Sequence, residues 1–217
     1  MKKKAIALIL SAVLAGALFA SQGCRSMIEL RKIEEAQAAI PVEIDFRAFY
    51  SDEDGYHFPN LKWGGSFSDF QRAADYPVKQ IEGYTDNGET VYDAAYLRYI
   101  ILGRANDEAN VACKDKDVVS FVSFGFKPSA EEETASLSEY FETVVSSFTE
   151  AFGEPDEHLK HNEDVDGNPF AYDSVFYRKT VGEKVTELQV STVTPAGSAE
   201  PSIMSIGVAW YEESDAE

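Results

Sequence analysis

Between Ser136 and Pro155 the apolar positions Leu137, Tyr140, Phe141, Val144, Val145, Phe148, Ala151 and Phe152 recur at helical spacing. They make one wide stripe, the pattern of a helix with a buried face. Ser136 and Glu139 have the spacing of a capping box, while Gly153 and Pro155 supply a stop. The pattern predicts a helix of about 16 residues, about 24 Å long at 1.5 Å per residue. A stripe that wide needs a partner surface.

Elsewhere the period shortens to two. Val42 to Arg47 alternates apolar and charged, and Asp52 to Gly55 follows as a polar turn. Ser66 and Asp69 cap a short helix whose apolar side is Phe67, Phe70, Ala73 and Ala74. Aromatic and β-branched runs then cover Val91 to Leu102, Asn110 to Cys113 and Val118 to Lys127. Lys114 to Asp117 reads as the turn joining the last two. Beyond the long helix, Ser174 to Thr180 and Val185 to Val193 flank a second polar turn at Val181 to Lys184, and Ile203 to Tyr211 is a final strand.

Runs of strands with few helices predict an α+β fold of antiparallel sheet, not a parallel βαβ arrangement. The expectation is a short N-terminal helix and one long central helix packed on one sheet face. Residues 58–217 form this domain, with halves at 58–135 and 136–211 as an option within it; residues 24–57 are a tether and first strand.

Met1 to Gly23 reads as a signal peptide: Lys2, Lys3 and Lys4 precede the uncharged apolar run Ala5 to Ala20. That run is short of the ~20 apolar residues a spanning helix needs. Ser21-Gln22-Gly23-Cys24 resembles a bacterial lipobox, so the expected fate is lipidation of Cys24 and attachment to a membrane of the cell envelope. The alternative is plain secretion. Losing the three signal-peptide lysines takes the formal net charge from −19 to −22. So acidic a surface repels phosphate backbones and anionic headgroups, which argues against nucleic acid and against electrostatic membrane docking. With Cys113 the only other cysteine, no disulfide framework exists, and Cys113 reads as a small core residue.

Trp63-Gly64-Gly65-Ser66 opening a short helix, Phe124 and Phe126 ending a strand, and Phe152-Gly153-Glu154-Pro155 closing the long helix together carry a resemblance. The pattern, over about Phe58 to Tyr211, resembles exported bacterial proteins whose halves are similar to the BamE (SmpA/OmlA) lipoprotein fold. It is also similar to the tandem architecture of the β-lactamase inhibitor protein. The resemblance implies a fold of two related halves and a role in binding other proteins.

Three groups of residues bear on chemistry. Asn162 to Asp173 puts oxygen side chains at loop positions 1, 3 and 5, glycine at 6 and a carboxylate at 12, the spacing of a calcium loop. Position 12 is Asp where Glu normally reaches in, Pro169 falls at position 8, and the same composition suits a plain turn. No metal is therefore expected here. His158 and His161, three apart, would share a face if helical and could begin a zinc or copper site with Asp156 or Asp164. Glu131 to Glu133 complements the positive end of the long helix. No Gly-x-Ser-x-Gly elbow and no Gly-rich phosphate loop is present, so neither a catalytic residue nor a cofactor is assigned.

Two function classes follow. One is a non-enzymatic protein-binding module of the cell envelope, with Trp63, Tyr84, Tyr92, Tyr96, Tyr99 and Trp210 as candidate interface anchors. The other is a calcium-dependent protein or carboxylate-based enzyme with its site near residues 158–173.

Overall fold

The computed structural model describes residues 41–73, 85–86, 89–93, 98–114, 117–129 and 135–212. The signal peptide, Cys24, the stretch 25–40 and Glu131 to Glu133 lie outside these residues.

In chain order come β1 (Val42–Glu43), a 3₁₀ turn at Phe46–Phe49, β2 (Tyr50–Ser51), β3 (Gly55–Tyr56) and helix α1 (Phe67–Ala73). Next are β4 (Thr85–Asp86), β5 (Glu89–Asp93), β6 (Tyr99–Ile101), β7 (Arg104–Ala105), β8 (Glu108–Lys114) and β9 (Val118–Phe126). Helix α2 (Leu137–Phe152) precedes four long strands: β10 (Glu157–Val165), β11 (Asn168–Val181), β12 (Lys184–Pro195) and β13 (Ile203–Glu212).

Eight of the strands form one antiparallel sheet in the order β10-β11-β12-β13-β9-β8-β5-β4. The α+β expectation is corrected by this. Of the described residues 53% are strand and 18% helical, so the fold is predominantly β. Nor do two halves persist as separate sheets, because β13 pairs with β9 and fuses the strands before α2 to those after it. The physical reason is the length of the last four strands. They extend through segments whose polar composition reads as loop, above all 157–165.

Two further expectations change. The strand expected over Val42 to Arg47 stops at Glu43, where Asp45 caps the 3₁₀ turn by accepting the Arg47 N–H at 3.0 Å. The run Val91 to Leu102 divides between two sheets, since β5 joins the large sheet while β6 pairs with β1 and β7.

Helix α2 forms for local reasons visible in its ends. Ser136 Oγ accepts the Glu139 N–H at 3.2 Å and Glu139 Oε2 accepts the Ser136 N–H at 3.0 Å, satisfying two donors the first turn would otherwise leave open. Gly153, at φ 93°, ends it. Leu137, Tyr140, Phe141, Val144 and Phe148 are buried in one core with Val175, Leu188, Val190, Ile206 and Phe124 of the sheet. Arg104 ties the lead into α2 to the end of β9, donating to the carbonyls of Ala135 at 2.8 Å and Lys127 at 2.6 Å. Phe46, Phe49 and Tyr56 enter the same core.

The sheet face turned away from α2 is also buried, and a strip of its lining is polar. Ser174, Ser191 and Ser205 stand opposite one another across β11, β12 and β13, each 3% exposed or less. Gln189 donates to Ser191 at 2.6 Å, and Ser191 to Ser174 at 2.8 Å. Gly207 continues the strip because the Phe121 ring lies against it: a Cβ there would meet that ring at 2.6 Å.

Candidate functional site

The turn that joins β10 to β11 decides the geometry of the predicted site region. Asp166 and Gly167 both take left-handed backbone, at φ 53° and 80°, the two-residue hairpin turn whose twist matches that of paired strands. Asp164 Oδ1 accepts the Gly167 N–H at 2.7 Å and stiffens it. From there Val165 pairs with Asn168, and the ladder runs back to Glu157 opposite Phe176.

The calcium-loop reading of Asn162 to Asp173 is overturned by this hairpin. Asn162 and Asp164 share a face of β10 but stand about 6.6 Å apart at ~3.3 Å per residue, and Asp173 is registered opposite Lys160, so loop positions 1, 3 and 5 cannot wrap around one centre with position 12. Among the described residues no three His, Cys, Asp or Glu side chains are grouped to hold a metal ion. The histidine pair is separated by the alternation of faces along β10. His158 lies on the side of α2, with Nε2 2.5 Å from Asp173 Oδ1. His161 lies on the other side, stacked on the Tyr172 ring at 4.8 Å and 8°.

What the hairpin does build is a cleft of about 610 Å³ between α2 and the outer strands. Glu139 and Glu142 form its helix wall, and Lys160, Asn162, Asp173 and Thr192 its sheet wall. Ser138 Oγ donates to Glu200 Oε2 at 2.8 Å, joining the start of α2 to the loop after β12 that carries Pro201 of the lining. On the sheet wall Asp173 is shared: Lys160 Nζ stands 2.7 Å from Oδ2 while His158 holds Oδ1. The hydrogen bond to Asp173, helped by its charge and by that of Glu142, raises Lys160 above the usual lysine pKa. Both carboxylate oxygens of Asp173 are thus engaged, one by Lys160 and one by His158.

The cleft opens beside a sheet edge. β10 is nine residues long and terminal in the sheet order, and no strand among the described residues pairs with its outer side. Its backbone N–H and C=O groups on that side are the feature that sequence reading missed. Asp166-Gly167 was the available signal, as a hairpin dipeptide.

The described aromatic anchors, Trp63, Tyr99 and Trp210, do not form a surface. Trp63 donates its indole N–H to Tyr56 O at 2.6 Å, Trp210 donates to Val119 O at 2.7 Å, and Tyr99 is 2% exposed. The side chains of Tyr84, Tyr92 and Tyr96 lie outside the described residues. Among the described residues Val42 is the one exposed large apolar side chain. Cys113 is fully buried in the core, where the sequence placed it.

No protein-family model matches the chain, and no curated protein matches it.

Proposed function

We propose that the chain is an exported, lipid-anchored, non-enzymatic binding module of the bacterial cell envelope. It is held to the membrane through Cys24 and binds another protein at the cleft between α2 and the β10 edge. The observation that supports this reading is the nine-residue β10 edge beside a cleft of about 610 Å³. Main-chain groups without a strand partner are a template for an incoming chain, and adjacent pockets can select its side chains. The carboxylates of the cleft are spread over two walls and partly bonded, an arrangement suited to holding charge rather than to proton transfer.

The anchor is tested by Cys24→Ser, which is expected to move the protein from the membrane fraction to the soluble one. Identical partitioning of parent and variant would leave simple secretion. The binding face is tested by a photo-crosslinking amino acid at Asn162, which is exposed in the cleft lining, against one at Glu183 in the β11–β12 turn. In intact cells a discrete protein adduct is expected from position 162 and none from 183. Adducts of equal yield from both positions, or none from either, would overturn the reading.

A further inference from the structure

We infer that the partner segment is a basic, extended peptide that adds to β10 as a ninth strand of the sheet. This rests on the reading of the cleft and edge as a protein-binding face, and it names the chemistry of the partner.

The backbone carries the first half of the argument. A strand laid along β10 would sit about 4.8 Å away, and alternate side chains would point to the two sides of the sheet. On the α2 side those side chains enter the cleft, whose helix wall carries Glu139 and Glu142. On the other side they meet the odd-numbered residues of β10, Glu157, Leu159, His161, Glu163 and Val165, of which Glu157 is held by Arg178 at 2.8 Å. Carboxylates thus flank the edge on both sides.

Charge carries the second half. Lys160 is the one lysine of β10, and its ammonium is committed to Asp173 at 2.7 Å. An acidic strand would face Glu139, Glu142 and Glu163, while Lys160 and Arg178 are already held by Asp173 and by Glu157 and Glu187. A second copy of this chain brings a formal charge of −19 against −19, so pairing of two β10 edges is opposed. A segment with lysine or arginine at alternate positions meets both flanks and is attracted from a distance by the acidic surface.

The probe is a labelled octapeptide alternating lysine and valine, titrated into the purified full-length protein. Its counterparts are a glutamate–valine octapeptide and two lysine–valine peptides N-methylated along one backbone edge or the other. The parent peptide is expected to bind, the glutamate peptide at least about 100-fold more weakly, and added salt to weaken the complex. N-methylation of one backbone edge should cost at least about tenfold and of the other little, since only one edge of a strand pairs with β10. Glu139→Gln with Glu142→Gln should cost about tenfold, and glutamine at 139 keeps the capping box intact. If both N-methylated peptides bind like the parent, attraction is purely ionic and strand addition is wrong. If the lysine and glutamate peptides bind alike, the charge assignment is wrong. If no peptide binds while Asn162 still crosslinks a protein, this inference falls and the binding-module reading stands. If neither occurs, both fall.

Discussion

Phe148→Ala is expected to lower the free energy of unfolding by about 3–5 kcal/mol, the cost of emptying a large aromatic core site. Phe148 is fully buried, and its ring centroid lies 5.2 Å from Phe46, 5.7 Å from Phe152 and 6.2 Å from Tyr177. Those partners come from the 3₁₀ turn, from α2 itself and from β11, three elements that do not collapse together into a vacated space. The cavity term is therefore retained on top of the lost transfer energy. Denaturant unfolding of parent and variant should show a lower midpoint with an unchanged slope. A loss of a few tenths of a kcal/mol would mean that the stripe of α2 is not the clamp between helix and sheet.

The second large effect is expected on the opposite sheet face. Arg178 Nε donates to Glu187 Oε2 at 2.6 Å and Nη1 to Glu157 Oε2 at 2.8 Å. Glu187 is 1% exposed, and its other oxygen is buried with no hydrogen-bond partner among the described residues. Burial raises the Glu187 pKa, and Arg178 opposes that rise. Arg178→Met deletes the charge, and with it the guanidinium that lies 5.0 Å from the centre of the Phe176 ring. The expected loss at neutral pH is about 3 kcal/mol, at the low end for a broken buried pair because the guanidinium is partly exposed. The variant's Glu187 has a folded-state pKa lifted further above its unfolded value. A group shifted in that direction stabilises fully below the unfolded pKa and loses that contribution as pH rises through the folded one. The deficit should therefore be smaller at pH 5 than at pH 8, and Arg178→Met with Glu187→Leu should recover most of it. An equal deficit at both pH values, without recovery in the double variant, would assign the effect to packing on Phe176.

Helix α2 was legible because three independent signals coincide in it: a wide apolar stripe, the Ser136–Glu139 box and the Gly153 stop. The β8–β9 and β11–β12 hairpins were legible from their runs of Val, Phe and Tyr around polar turns. β10 was not. Glu-His-Leu-Lys-His-Asn-Glu-Asp-Val offers only Leu159 and Val165 as apolar positions, and an edge strand needs no more because one flank stays wet. The same polarity made Asp164, Asp166 and Gly167 look like metal ligands and a loop glycine, when Asp166 and Gly167 are the two residues of a hairpin turn. The burial of Ser174, Ser191 and Ser205 was not legible either. Alternation with serine suggests a wet face, yet here the serines are buried and bonded across strands, so the sheet is larger and drier than the pattern implies. The candidate cleft was illegible because of β10, which forms its sheet wall with the neighbouring part of β11 and β12.

The place of β13 has a bearing on how the molecule comes into being. It is the last described strand along the chain, yet it lies between β12 and β9, near the middle of the sheet. A chain emerging from its N-terminus can complete the β8–β9 hairpin and the β10–β11–β12 meander early, from contacts close in sequence. It cannot join them until Ile203 to Glu212 arrives, and until then β9 and β12 each present an open flank. Assembly is thus a closing event that waits on the final segment, across the long sequence separation that slows sheet formation. A chain halted before Ile203 would carry two unmatched edges and a half-covered α2, a form suited to capture by chaperones or to aggregation.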